Sequence, residues 1–173
     1  MRFHIPGAIL ALALAVSSSV AHADERPISG SGRALEGGRI AIGNDTVALA
    51  GVAVPTATTP CREWGGGNGT SQDSYNCGQH ARAFLESMIA GRPIACVTTP
   101  AAPQAGRPRP ARCYADGRDV AEAMVAAGWA VTTERASNRY VSAQETARLA
   151  RRGMWAGPFE MPGMTPGPVR RTP

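Results

Sequence analysis

The sequence predicts an α+β domain, a small five-stranded β-barrel of OB type with three helices around it. Three observations predict it. Short β-prone runs and helix-like runs alternate in the order three strands, helix, two strands, helix, strand, helix. Turn signals rich in Gly, Asn and Asp sit between the first strands, as a meander requires. Four cysteines, Cys61, Cys77, Cys96 and Cys113, fall in two pairs that each join nearby elements.

Residues 1–23 read as a signal peptide and are set aside. Arg2 supplies the positive start, "GAILALALAV" the apolar core and "AHA" at 21–23 a small-x-small cleavage site. A core that short does not make a membrane span of the mature chain, and no later stretch does either. Residues 24–32 ("DERPISGSG") are polar and Gly/Ser-rich, and read as a flexible leader. The folded domain is expected over residues 33–157.

In "RALEGGRIAIGNDTVALAGVAV" three strands are joined at "EGG" and "GND", with Leu35, Ile40, Ile42, Val47 and Leu49 pointing inward. A long Gly/Ser/Thr-rich loop follows, closed at its ends by Cys61 and Cys77. Ala81, Phe84, Leu85, Met88 and Ile89 then recur at helical spacing over about 78–90, and Gly91 stands where a C-terminal cap belongs. His80 falls in the first turn of that helix.

"PIACV" is a strand, whereas "TTPAAPQAGRPRPAR" holds too much proline for a regular central strand. "CYADG" gives a short strand and a turn. "DVAEAMVAAG" is a helix with Val120, Ala123, Met124 and Ala127 on one face and Gly128 as its stop. "WAVTT" is a strand, and "YVSAQETARLARRG" a third helix with arginines near its C-terminus, where the dipole favours them. Residues 158–173 form a Pro/Arg-rich tail expected to be disordered.

Composition narrows the chemistry. There is no lysine, so every basic residue is arginine, and the net charge of +5 becomes +4 without Arg2. Such a surplus permits phosphate binding by guanidinium forks, and it also arises from an arginine-biased composition alone. An even cysteine count in an exported chain favours two disulfides. Of the three pairings, 61–77 with 96–113 joins the nearest elements. Zinc is the rival, but no C-x-x-C pair exists and His80 is the one histidine after residue 23. Export with disulfides implies a periplasmic or secreted protein. Schiff-base lysine, P-loop, thiolate nucleophile, G-x-G-x-x-G and H-E-x-x-H are all excluded, and a Ser-His-Asp triad would have to use His80.

"YADGRDVAEAMVAAGWAV", followed by a helix ending in "ARRGMWAG", resembles the C-terminal half of the staphylococcal nuclease-like (thermonuclease) domain. "RALEGGRIAIGNDTVALAGVAVPT" resembles its N-terminal β-meander. "NCGQHARAFLESMIAGRPIACV" resembles the helix-strand unit between them in exported bacterial members. The resemblance covers roughly residues 33–157. It implies a calcium ion held by aspartates, a glutamate general base and two arginines that bind the phosphate.

On that pattern this chain departs at nearly every chemical position. Glu36 keeps one carboxylate in the first turn, but Gly38 stands at a metal-binding aspartate. Ala48 stands at the first catalytic arginine, Ala53 at the second metal-binding aspartate and Thr56 at the catalytic glutamate; Pro55 alone persists. The second arginine falls on Arg107 if one extra residue precedes Cys113, and on Pro108 otherwise, so Arg107 and Arg109 are the candidates for residual phosphate contact. The resemblance therefore implies a pseudoenzyme with no catalytic residues and no cofactor, binding nucleic acid, another polyanion or a protein partner. The alternative is an active calcium-dependent nuclease with a rearranged site, recruiting Glu36 with Glu63 or Asp73. A structural envelope protein is the third reading.

Overall fold

A computed structural model describes residues 27–62, 74–100 and 105–163. Ten strands and three helices appear among them. The strands are β1 (Ile28–Ala34), β2 (Arg39–Ile42), β3 (Asp45–Leu49), β4 (Val52–Ala53), β5 (Pro60–Arg62), β6 (Ser74–Asn76), β7 (Pro93–Thr98), β8 (Arg109–Ala115), β9 (Arg118–Asp119) and β10 (Val131–Thr132). The helices are α1 (Cys77–Ile89), α2 (Val120–Ala126) and α3 (Asn138–Leu149). No helix among the described residues is long and apolar enough to cross a membrane. The signal peptide expected over 1–23 lies outside the described residues.

Five strands make the barrel, in the order β3-β2-β1-β7-β8, and β8 returns to pair with β3. The expected OB-type α+β fold is present, with a mixed rather than purely antiparallel barrel, because the closing β3–β8 pair is parallel. Strand β1 serves two neighbours: residues 28–31 pair with β7 and residues 32–34 with β2. Gly32 sits where β1 bends from one to the other. A Cβ there would overlap the Ile94 side chain and press on Ile40, so the bend needs glycine.

Strand β1 also corrects the leader expected over 24–32, since the chain is paired from Ile28 onward. The polar "ISGSG" conceals a strand because one of its faces is solvated and its inward positions after Ile28 are glycines. Ala34, not Leu35, is the buried residue at its end; Leu35 is half-buried. Ile40, Ile42, Val47 and Leu49 do fill the barrel. So do Ile94, Cys96, Ala111, Cys113 and Ala115.

Helix α1 buries Ala81, Leu85 and Ile89, spaced four apart, with Phe84 and Met88 at the rim. The Asn76 side chain caps its first turn through the Gln79 N–H, and Gly91 with φ +70° follows its end. Glu86 reaches from its flank to accept the Ala34 N–H at 2.7 Å, which fixes the end of β1. Helix α2 buries Val120, Ala121, Met124 and Val125. Its inner face is thus turned from the expected Val120, Ala123, Met124, Ala127 stripe, because the helix packs both on β8 and on α3. Asp119 caps α2 through the Glu122 N–H and also accepts from Tyr140 Oη at 2.7 Å and Arg139 Nη2 at 3.1 Å.

Both expected disulfides form, Cys61–Cys77 and Cys96–Cys113. The second joins residues that face each other directly in the β7–β8 ladder. The proline-rich segment does enter the barrel, contrary to expectation: β8 begins at Arg109 and contains Pro110. The Pro110 carbonyl accepts from the Thr99 N–H, so its missing donor falls beyond the last β7–β8 pair, where the ladder has ended.

The tail departs from the expectation of disorder as far as it is described. Pro158 O accepts the Arg62 N–H at 3.0 Å, and Phe159 bridges to Cys61. A second, smaller apolar cluster results. Cys61, Cys77, Val131 and Met154 are its buried members, with Ala53, Tyr75, Trp129, Trp155 and Phe159 packed against them.

Candidate functional site

The turn at Glu36–Gly38 is built on two consecutive glycines with φ +65° and +71°, a backbone that residues with a Cβ rarely adopt. It is closed by the Leu35 N–H donating to Arg39 O, and Arg39 Nε donates to Glu36 O at 3.0 Å. Glu36 is exposed and Gly38 is buried. Below Gly38 lies Val54: a Cβ built on Gly38 would come within 2.6 Å of Val54 Cγ2. An aspartate there would need a left-handed backbone and a displacement of Val54.

Thr56 lies beside the same turn, its Cγ2 within 3.5 Å of where a Gly37 Cβ would stand. Its side chain is engaged locally. Thr56 Oγ1 and Thr58 Oγ1 share a hydrogen bond of 3.0 Å, and Thr56 N donates to Thr59 Oγ1. A hydroxyl in that turn has no basicity to offer as a general base at neutral pH. Ala48 is directly opposite Arg39 on one side and Pro110 on the other. The structure thus brings positions 36–39, 48, 54–56 and 109–110 around one end of the barrel.

Ala53 belongs to different surroundings. It pairs with Val131 in the small β4–β10 sheet and packs in the second apolar cluster. The tail crosses it, since a Cβ on Gly163 would lie 3.1 Å from the Ala53 Cβ. A carboxylate at 53 would meet apolar side chains and the chain's own backbone.

Arg107 is exposed in the turn after Gly106 (φ +73°), and Arg109 is exposed at the start of β8 opposite Val47. Neither forms an ion pair among the described residues. The arginines near the end of α3 are committed elsewhere: Arg148 is held by Glu145 at 2.7 Å, and Arg152 donates to Ala126 O. Tyr75 donates to Gly153 O and meets His80 edge-on. The acids Glu63 and Asp73 lie outside the described residues.

Among the described residues the donor set does not fit calcium. That ion takes about six to eight oxygens, and among the described residues no three His, Cys, Asp or Glu side chains gather to hold a metal. Among the described residues Glu36 and Glu86 are the carboxylates placed at this end of the barrel, and Glu86 already accepts the Ala34 N–H. Sequence reading concentrated on inherited positions and passed over Arg33, Arg39 and Arg112. Their alternation with Ala34, Ile40, Ala111 and Cys113 would have placed them on the outward face.

An OB-type barrel closed by a parallel pair, flanked by three helices and a two-stranded β4–β10 sheet, defines a nuclease-like domain. The profile described as staphylococcal nuclease homologue matches residues 46–157, and the chain belongs to that family. Strands β1 and β2 precede the matched residues and complete the barrel. No curated protein matches the chain.

Proposed function

We propose that this chain is an exported nuclease-fold protein that no longer cleaves phosphodiesters and acts by binding, with nucleic acid or another polyanion as its ligand. The observation that carries the reading is Gly38, buried on Val54 in a left-handed backbone, where a metal-binding carboxylate would have to stand. Ala53 beneath the tail and Thr56 in its local turn point the same way. Magnitudes decide between a weakened and an abolished enzyme. Losing one preorganised donor costs about 100- to 1000-fold in rate, and losing a general base about 100- to 10,000-fold more. Here the metal ligands, the base and one arginine are absent together. Two disulfides support a periplasmic or secreted location.

The test is direct. The oxidised protein, incubated with DNA and with RNA in calcium, is expected to leave both uncleaved while retaining salt-sensitive binding to one of them. Turnover that vanishes with chelator and with Glu36→Ala would overturn the proposal in favour of a rearranged nuclease.

A further inference from the structure

The two disulfides close loops of nearly equal length but lie in different surroundings. Cys61 and Cys77 are 16 residues apart in sequence and Cys96 and Cys113 are 17, so loop entropy does not rank them. All four cysteines are fully buried, so exposure does not rank their reactivity either. What differs is the structure that must open to reach them. Cys96 and Cys113 sit inside strands of six and seven residues, within the barrel core. Cys61 sits in β5, a strand of three residues paired with another of three.

The outer cover of Cys61 is the tail. Phe159 bridges to it, Pro158 O accepts the Arg62 N–H, and the Phe159 ring stands edge-on to Trp155 at 5.0 Å. Beyond Phe159 the segment is exposed at Glu160 and Met161 before Gly163 crosses Ala53. A segment with so little buried surface opens locally more often than the barrel opens as a whole. Cys77 is the first residue of α1, whose N-terminal end favours negative charge. A sulfur that departs there as a thiolate is a good leaving group. Cys96 and Cys113, inside strands, have no helix end beside them in the chain.

We propose that Cys61–Cys77 is a redox site, exchanged with an external dithiol when the strap of residues 158–163 lifts from Cys61. One thiolate of the dithiol attacks the Cys61 sulfur, the S–S bond breaks, and its electron pair goes to Cys77. The dithiol's second thiolate then attacks its own sulfur in the mixed disulfide and displaces Cys61. Two electrons and two protons thus pass to the cysteine pair, and the dithiol becomes a disulfide. Once reduced, β5 is no longer tied to α1, and the strap comes away from Cys61 and Ala53. The site goes beyond the binding reading and does not depend on it.

The experiment treats the full oxidised chain with dithiothreitol in the absence of denaturant. Free thiols are alkylated at intervals and mapped by peptide mass spectrometry. Cys61 and Cys77 are expected to be labelled at least about tenfold faster than Cys96 and Cys113. Phe159→Ala is expected to speed that labelling by about tenfold, and Phe159→Leu, which keeps an apolar cover, by much less. In the selectively reduced protein the Arg62 amide is expected to exchange faster while Ile40 and Cys113 stay protected.

Equal labelling of the two pairs, faster labelling of Cys96 and Cys113, or no labelling short of denaturation would overturn the redox site. An unchanged rate in a folded Phe159→Ala protein would overturn the gating by the strap. Should that variant misfold, the reduced but otherwise unaltered protein decides: an Arg62 amide as protected as before would overturn the strap's release.

Discussion

Two apolar clusters share this chain, and they are built by different means. The larger one fills the barrel with residues that recur at period two in strands and every three to four in helices, among them Ile40, Val47, Ile94, Leu85 and Met124. The smaller gathers the Cys61–Cys77 disulfide, Val131 and Met154 with half-buried Trp129, Trp155, Phe159 and Ala53. Its members come from β4, β5, α1, β10, the link before β10, residues 154–155 and the tail, with no period to connect them. The first keeps the barrel of a nuclease-family fold standing. The second packs around Ala53 of β4. A periodic pattern thus packs the barrel, while the ground beside it is packed by aromatic rings brought from distant segments.

Leu85→Ala should show the largest effect, because Leu85 is fully buried between α1 and the barrel. A loss of about 3–5 kcal/mol is expected, seen as a lower denaturant midpoint with every barrel amide exchanging faster. Phe159→Ala removes a half-buried ring that stands edge-on to Trp155 at 5.0 Å, and about 1–2 kcal/mol is expected. The distribution matters more than the size. Exchange at the Arg62 amide, which donates to Pro158 O, should rise while Ile40 and Cys113 stay protected. If both variants lower protection everywhere alike, the two clusters are one cooperative unit and the contrast fails.

The sequence made the first cluster legible and hid the second for physical reasons. Ala81, Leu85 and Ile89 announce a helix face, and Ile40, Ile42, Val47 and Leu49 announce strands, because burial on one side imposes a period. The 120–126 helix misled because it is short and alanine-rich, and alanine marks neither face strongly. The first part of strand β1, residues 28–32, is hidden because Gly32 contributes room rather than apolar surface. Phe159 was lost among prolines because its partner, Cys61, is far away in the chain. Absent charges at positions 38, 48, 53 and 56 could be read from residue identity alone. The Val54 side chain under Gly38 and the Gly163 backbone over Ala53 could not, since both are contacts between segments distant in sequence.

The smallest expected effect concerns Tyr140, which joins the barrel cluster and hydrogen-bonds Asp119, itself 5% exposed. Burial, and then the Asp119 hydrogen bond and charge, push its phenol well above its ordinary value of 10.0. In the unfolded chain the same hydroxyl ionises near pH 10. Its contribution is therefore fully present below about pH 10 and is lost as pH rises beyond, since only the unfolded state can release the proton. Tyr140→Phe should cost about 1 kcal/mol at pH 8 through the lost hydrogen bond. Between pH 10 and 11 that gap should close, at about 1.4 kcal/mol per pH unit, because the phenylalanine protein has no phenol to titrate. Denaturant midpoints of the two proteins at pH 8 and pH 10.5 measure it. A gap that stays constant would mean that Tyr140 ionises alike in both states, and that the barrel edge at Asp119 is as wet as the surface around it.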